Sequence, residues 1–128
     1  MGDLNAKSER IIFMIQCNIK SEADEFQKWI KERASKYVFD LKEEKSLSYE
    51  WHLSHDNKEA TLVESFVDSD GAMQRLLNHA ASPIAAEVME QVDIKSVFCF
   101  GDAKEDLIEA LTAWGAKFQR HVCGFNHT

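Results

Sequence analysis

One histidine and one glutamate are the residues of this chain best suited to chemistry. His79 falls at the edge of an apolar stripe on a predicted helix, next to Leu76, because successive helical residues lie about 100° apart. A histidine facing an apolar pocket can act as a general base, since its pKa lies near neutral pH. Glu64 shares one face of a predicted strand with Leu62 and Phe66. It could orient His79 or act as an acid of raised pKa.

Both residues also have an ordinary structural interpretation. The His79 ring could hydrogen-bond a nearby backbone carbonyl or Glu64. Glu64 could form an internal salt bridge with Arg75 or Arg33. A histidine or carboxylate held in that way contributes to stability and is not free to exchange a proton with a substrate.

Aromatic side chains are numerous enough either to line a pocket or to fill a core. The same residue types bind flat aromatic ligands and build hydrophobic cores, so composition does not separate the two roles. Trp114 belongs to the apolar stripe of the last predicted helix. The predicted substrate-binding residues are Tyr49, Trp51, Phe66, Phe26, Trp29 and Phe98.

No motif indicates a metal or nucleotide site. His52 and His55 span a strand end and a turn, and His121, Cys123 and His127 form a looser set near the C-terminus. Zinc sites usually need four ligands in paired spacing. The sequence contains no glycine-rich phosphate loop and no GxSxG or HExxH motif. We therefore predict no metal and no cofactor.

Charge and composition exclude several classes of partner. The chain has 128 residues and a net charge of -7, without a basic stripe, so neither nucleic acid nor an anionic membrane surface is an expected partner. No apolar run approaches the roughly 18 residues that a membrane helix needs. Three cysteines without a CxxC pair and a polar N-terminal stretch predict reduced thiols in a cytoplasmic protein.

Hydrophobic periodicity places these residues on alternating strands and helices. The predicted strands are 11–19, 47–54, 59–67 and 94–100. The predicted helices are 21–41, with a capping box at Ser21, then 70–80, 83–89 and 102–114. The tail, 116–125, is predicted to form a short strand or an arm that crosses to a partner.

This order of elements predicts an α+β fold of the ferredoxin-like βαββαβ type, with an antiparallel sheet and helices on one face. We expect a single domain over 1–128, with a core at about 11–100 and an extra C-terminal helix and arm at 101–128. The strands carry apolar residues on both faces, and the chain has no second sheet to cover the other face. A second copy of the chain is the natural cover, which predicts a homodimer.

A series of motifs in the middle of the chain resembles the antibiotic-biosynthesis-monooxygenase (ABM) domain of the dimeric α/β-barrel superfamily. The resemblance covers about 11–100. Its motifs are Tyr49 with Trp51, Glu64 with Phe66, Asp68 with Ala72, His79, and Ser82-Pro83.

This resemblance implies a dimeric barrel with a small apolar cavity in each subunit, between helices and sheet. Members of the family include cofactor-free quinol or polyketide monooxygenases and haem-degrading enzymes. Phe66 stands where haem-degrading members carry tryptophan, and Asn18 lies late on its strand, so haem is the least favoured ligand. We predict a cofactor-independent monooxygenase for a small aromatic or quinol-type substrate. The alternative is a non-catalytic dimeric module that binds a small apolar ligand or a partner protein.

Overall fold

The strands form one five-stranded sheet. A computed structural model of the protein describes residues 4–127, and positions 1–3 and 128 of the predicted domain lie outside the described residues. The sheet order is β2-β3-β1-β4-β5, and the first four strands run antiparallel to their neighbours. The strands are β1 (Ile11–Ile19), β2 (Ser46–Leu53), β3 (Glu59–Phe66), β4 (Val92–Phe100) and β5 (Lys117–Gln119). Because β5 pairs with β4 in parallel, the sheet is mixed.

The helices confirm the predicted α+β order. They are α1 (Ala23–Trp29), a π-helical stretch (Ile30–Ala34) that leads into α2 (Ser35–Leu41), then α3 (Ser69–Ala80), α4 (Ile84–Gln91) and α5 (Glu105–Thr112). None of the helices within residues 4–127 is long and apolar enough to cross a membrane.

Two predicted helix starts have different outcomes. The Asp68 side chain accepts a hydrogen bond from the Gly71 backbone N–H at 2.9 Å and so caps α3, which begins at Ser69, one residue before the predicted start. The predicted capping box at Ser21 is wrong, because α1 starts at Ala23 without a side-chain cap. The Ser21 hydroxyl instead donates to the Gln91 side chain at 2.6 Å, which links the start of α1 to the end of α4.

Side chains alternate between the two faces of the sheet, and the helices pack on one of them. Phe13 pairs with Glu64 in the antiparallel ladder, and both side chains point to this face, which we call the covered face. Met14 pairs with Val63 and Phe98 on the opposite face, which we call the open face. The covered face therefore carries Glu64 towards the helices.

A β-bulge in β4 changes which residues reach the covered face. Gln16 pairs with Ser96, but the next residue, Cys17, pairs with Ile94, so Lys95 is an extra residue. Simple alternation predicts one face for Ile94 and Ser96, and this prediction is wrong because of the bulge. Ile94 joins the covered face.

Two clusters of buried side chains fill the space between the covered face and the helices, and Ile15 packs against both. The first contains Ile11, Phe13, Phe66, Ala72, Cys99, Leu107 and Leu111. The second contains Cys17, Phe26, Trp29, Ala34, Ala60, Ile84 and Val92.

Candidate functional site

An apolar cavity of about 100 Å³ lies where the two clusters meet on the covered face. Phe13 and Leu111 line it from the first cluster, and Cys17 and Ile84 line it from the second. Apolar cavities of roughly 150 Å³ can take up benzene, so this space is on the scale of one aromatic ring. Burial raises the pKa of the Cys17 thiol to about 11, which keeps it protonated and unreactive.

Four polar side chains converge on this otherwise apolar space, which is the usual composition of a small-molecule site. Tyr49 comes from β2, Glu64 from β3, and both Arg75 and His79 from α3. Arg75 and His79 are four residues apart, so they lie on the same face of the helix. Two of the four, Glu64 and His79, are the predicted catalytic pair.

Glu64 is a buried carboxyl group without a fixed partner. The Glu64 residue is 5% exposed, and its carboxyl oxygens accept no hydrogen bond from any other residue in 4–127. Burial raises its pKa to about 7; the nearby Arg75 cation opposes the shift and the Glu43 carboxylate adds to it. Glu64 can therefore gain or lose a proton close to neutral pH.

Arg75 does not pair with Glu64, so the salt bridge considered from the sequence is not formed. The Arg75 Nη1 donates to Glu43 at 3.0 Å, with both side chains almost fully buried. Asn78 donates to the second Glu43 oxygen at 2.7 Å. Arg33 was the other candidate, and it binds Glu87 at 2.8 Å. Glu64 is thereby left facing the cavity.

The His79 ring is free of hydrogen bonds to the rest of the described chain. Burial lowers its pKa, and the Arg75 cation lowers it further, so the imidazole is neutral at pH 7 and can accept a proton. The His79 backbone carbonyl accepts from the Ser82 hydroxyl at 2.8 Å, which holds the end of α3 in place. No hydrogen bond joins His79 to Glu64 across the described residues, so Glu64 does not orient the ring directly.

Tyr49 and Trp51 form a hydrogen-bonded pair in the wall of the cavity. The Trp51 indole N–H donates to the Tyr49 hydroxyl oxygen at 2.9 Å. Burial raises the pKa of Tyr49 well above its ordinary value, so its hydroxyl stays protonated. Because that oxygen accepts from Trp51, its own proton remains available to donate to a ligand.

The other predicted substrate-binding residues do not line the cavity. Phe66 is buried behind Phe13, with ring centroids 5.0 Å apart. Phe26 supports Trp51 edge-on at 5.8 Å, and the Trp29 indole N–H donates to Glu87 at 3.0 Å. These side chains hold the cavity walls in position.

Phe98 is separated from the cavity by the sheet itself. It lies on the open face, where its ring stacks on Phe100 with centroids 5.9 Å apart. It has no route to a ligand bound on the covered face.

Most of the residues that line the cavity, among them Arg75, Leu76 and Trp114, were not predicted from the sequence as site residues. Arg75 and Leu76 come from α3, and Trp114 follows α5 in the C-terminal extension. The spacing of Arg75 four residues before His79 is a signal that could have identified Arg75. The apolar stripe of the last predicted helix placed Trp114 on an apolar face, but its contact with the cavity depends on how the C-terminal extension packs. Residues 4–127 contain no group of three or more His, Cys, Asp or Glu placed to hold a metal ion.

Comparisons with known proteins show the fold. No family model matches the sequence, and no curated protein does. Among solved structures, MupZ from Pseudomonas fluorescens is 18% identical with a TM-score of 0.75, over 91% of this chain and 88% of MupZ. SnoaB from Streptomyces nogalater, a cofactor-independent oxygenase, is 13% identical with a TM-score of 0.58, over 76% of this chain and 96% of SnoaB. YjcS is 14% identical with a TM-score of 0.54, over 74% of this chain and 99% of YjcS.

These likenesses show the fold and agree with the α+β, ferredoxin-like arrangement predicted from the sequence. The alignment with MupZ covers 91% of the chain, which is more than residues 1–100 could supply. It therefore includes part of the C-terminal extension.

Proposed function

We propose that the protein is a cofactor-independent monooxygenase for a small aromatic or quinol-type substrate. The observation that carries this proposal is a cavity on the scale of one ring, lined by a neutral histidine and by a carboxyl group with a pKa of about 7. SnoaB, which shares the fold, is a cofactor-independent oxygenase, and this supports the proposal.

The first step is removal of the phenolic proton by His79. The product anion spreads its charge onto the ring, and the Arg75 guanidinium in the same cavity stabilises that charge. The apolar walls exclude water, so the anion is a stronger electron donor than it would be in solution. Tyr49 can hydrogen-bond the substrate oxygen as it becomes negative.

The second step consumes molecular oxygen. The anion transfers two electrons to O₂ in successive single-electron steps, and a ring carbon that carries one hydrogen forms a C–O bond to give a peroxide anion. The imidazolium of His79 returns its proton to the outer peroxide oxygen. His79 then removes the hydrogen from that carbon, the O–O bond breaks, and the departing hydroxide takes the proton. One phenol and one O₂ thus give one quinone and one water.

Two features of the site favour an enzyme over a non-catalytic binding module. A module that only binds a partner protein would be expected to have a fully packed cavity, or a histidine held by backbone hydrogen bonds. The cavity instead has an open volume of about 100 Å³, and the ring of His79 has no hydrogen-bond partner within residues 4–127.

Oxygen uptake tests the assignment of His79. With a panel of quinols and naphthols, we expect His79→Ala to lower the rate by roughly 10²- to 10⁴-fold, the usual contribution of a general base. Leu77→Ala is the matched control, because Leu77 is exposed on the same helix and outside the cavity. Equal rates for the wild type and His79→Ala would refute the role of His79. No uptake by the wild type with any member of the panel would refute the proposed reaction.

We also propose that the protein forms a symmetric homodimer through the open face. Half-buried apolar side chains lie across this face, among them Met14, Val63 and Phe98. A cytoplasmic location, where Cys123 and the two buried cysteines would stay reduced, completes the proposal.

Light scattering after size exclusion tests the dimer. We expect twice the chain mass of 14.7 kDa at micromolar concentration, and the mass of a single chain for Phe98→Glu. Glu109→Lys on the exposed side of α5 is the control for a change of charge alone, because α5 packs on the covered face, away from the proposed interface. A monomeric wild type would refute the dimer.

A further inference from the structure

The C-terminal extension is firmly attached to the domain. Leu107 and Leu111 of α5 are buried in the first cluster. The backbone N–H of Lys104, just before α5, donates to the Ser69 hydroxyl at 2.9 Å. After α5 the chain enters β5, and the Gly101 N–H donates to the Gln119 carbonyl at 2.8 Å. The segment between α5 and β5, which carries Trp114, is therefore held at both ends.

Trp114 lies between the cavity and the solvent. Its side chain lines the cavity together with Leu111, yet 49% of the residue is exposed. The backbone turns sharply here, with N–H groups of Trp114 and Ala116 both donating to the Leu111 carbonyl at 3.0 and 3.2 Å, and with Gly115 at a φ of +74°. A side chain that contacts both the cavity and the solvent marks the mouth of the cavity.

Trp114 differs from the other two tryptophans in its hydrogen bonding. The Trp29 and Trp51 indole N–H groups donate to Glu87 and Tyr49, respectively. Both rings pack edge-on against each other, with centroids 6.1 Å apart. Within residues 4–127, the Trp114 indole N–H has no hydrogen-bond acceptor. The Trp114 ring also stacks on no other aromatic ring in this range. Its face and its N–H are free to contact a ligand.

We propose that Trp114 is a specificity-determining residue that stacks on the outer ring of a two-ring aromatic substrate. The cavity has room for about one ring, so the second ring of such a substrate would lie at the mouth, against the indole. This inference rests on the proposed function, because it takes an aromatic substrate as given. It adds that the C-terminal extension, and not only the ferredoxin-like core, selects the substrate.

Binding of 1-naphthol and of phenol, measured by calorimetry, tests the inference. An aromatic stacking contact changes affinity by roughly 3- to 10-fold. We expect Trp114→Ala to weaken 1-naphthol binding by about this factor and to leave phenol binding nearly unchanged, since phenol fills the inner space alone. Trp114→Phe should recover most of the 1-naphthol affinity, whereas Trp114→Leu should not. Ile108→Ala is the control, because Ile108 is partly exposed on α5 and does not line the cavity.

The outcomes separate this inference from the proposed reaction. Unchanged 1-naphthol affinity in Trp114→Ala, an equal loss for both phenols, or no binding of 1-naphthol to the wild type would each overturn the role of Trp114. Full recovery by Trp114→Leu would also overturn it, because bulk alone would then be sufficient. Trp114-dependent binding without any oxygen uptake would refute the monooxygenase and leave the role of Trp114 standing.

Discussion

Two neighbouring polar residues of β3 lie on opposite faces of the sheet and differ in their hydrogen bonding. Glu64 points to the covered face, where it lines the cavity without a hydrogen-bond partner in the described chain. Ser65, the next residue, points to the open face and shares a hydrogen bond with Ser48 and another with Arg10. The covered face thus keeps a protonatable group available to a ligand, while the open face uses its serine within the sheet.

The comparison distinguishes a sheet face that the chain buries with its own helices from a face that it leaves partly exposed. Helices close the covered face and leave only a cavity the size of a ring. The open face has a polar pair, Gln16 with Ser96 at 2.7 Å, and apolar side chains that remain half exposed. We interpret the covered face as the side of the sheet that carries the proposed active site, and the open face as the side that forms the proposed dimer contact.

The largest change in the free energy of unfolding is expected when a phenylalanine on each face of the sheet is replaced by alanine and the two losses are compared. Phe66→Ala should lower the free energy of unfolding by about 3–5 kcal/mol, because it opens a cavity in the first cluster. Phe98→Ala should cost less at low protein concentration, since Phe98 is already partly exposed. Urea denaturation of both variants measures the difference. Equal losses would mean that the open face is as well packed as the covered face.

The pH dependence of stability tests the buried carboxyl group on the covered face. The pKa of Glu64 is raised from 4.5 to about 7 on folding, so the folded protein holds this proton more tightly than the unfolded chain does. The contribution of the protonated Glu64 to the free energy of unfolding is therefore fully present at low pH and is lost as the pH rises from about 4.5 to 7. Relative to Glu64→Gln, the wild type should lose roughly 2–3 kcal/mol between pH 5 and pH 8.

Urea denaturation at both pH values measures this loss. The comparison with Glu64→Gln cancels the other titrating groups, which both proteins share. Parallel pH profiles for the two proteins would show that Glu64 has an ordinary pKa and does not exchange a proton near neutral pH.

The smallest change in the free energy of unfolding is expected when an ion pair at the exposed end of the sheet is removed. The Lys95 ammonium at the β4 bulge contacts Glu59 at 2.8 Å, with both side chains about half exposed. Solvent screens such a pair, so Lys95→Ala should change the free energy of unfolding by less than about 1 kcal/mol. A loss above about 2 kcal/mol in urea denaturation would show that the bulge itself depends on this contact.

Local sequence patterns were sufficient for the elements and for the face that each residue occupies. Alternation along β3 placed Glu64 with Leu62 and Phe66, and helical spacing placed His79 at the edge of the α3 stripe. These predictions succeeded because the direction of a side chain along a strand or helix depends mainly on backbone geometry, which repeats over a few residues. The bulge at Lys95 broke that repeat and could not be read from the alternation.

Only the tertiary structure decided which side chains meet. Glu64 and Glu43 were both available to Arg75, and the structure pairs Arg75 with Glu43, which leaves Glu64 facing the cavity. Trp114 reached the cavity mouth through the packing of a segment outside the core pattern. The choice among partners depends on distances between elements far apart in the chain, and the size of a cavity depends on all the side chains around it. The sequence by itself therefore determined the order of the elements and, outside the β4 bulge, the face of each side chain, whereas packing between distant elements determined the site.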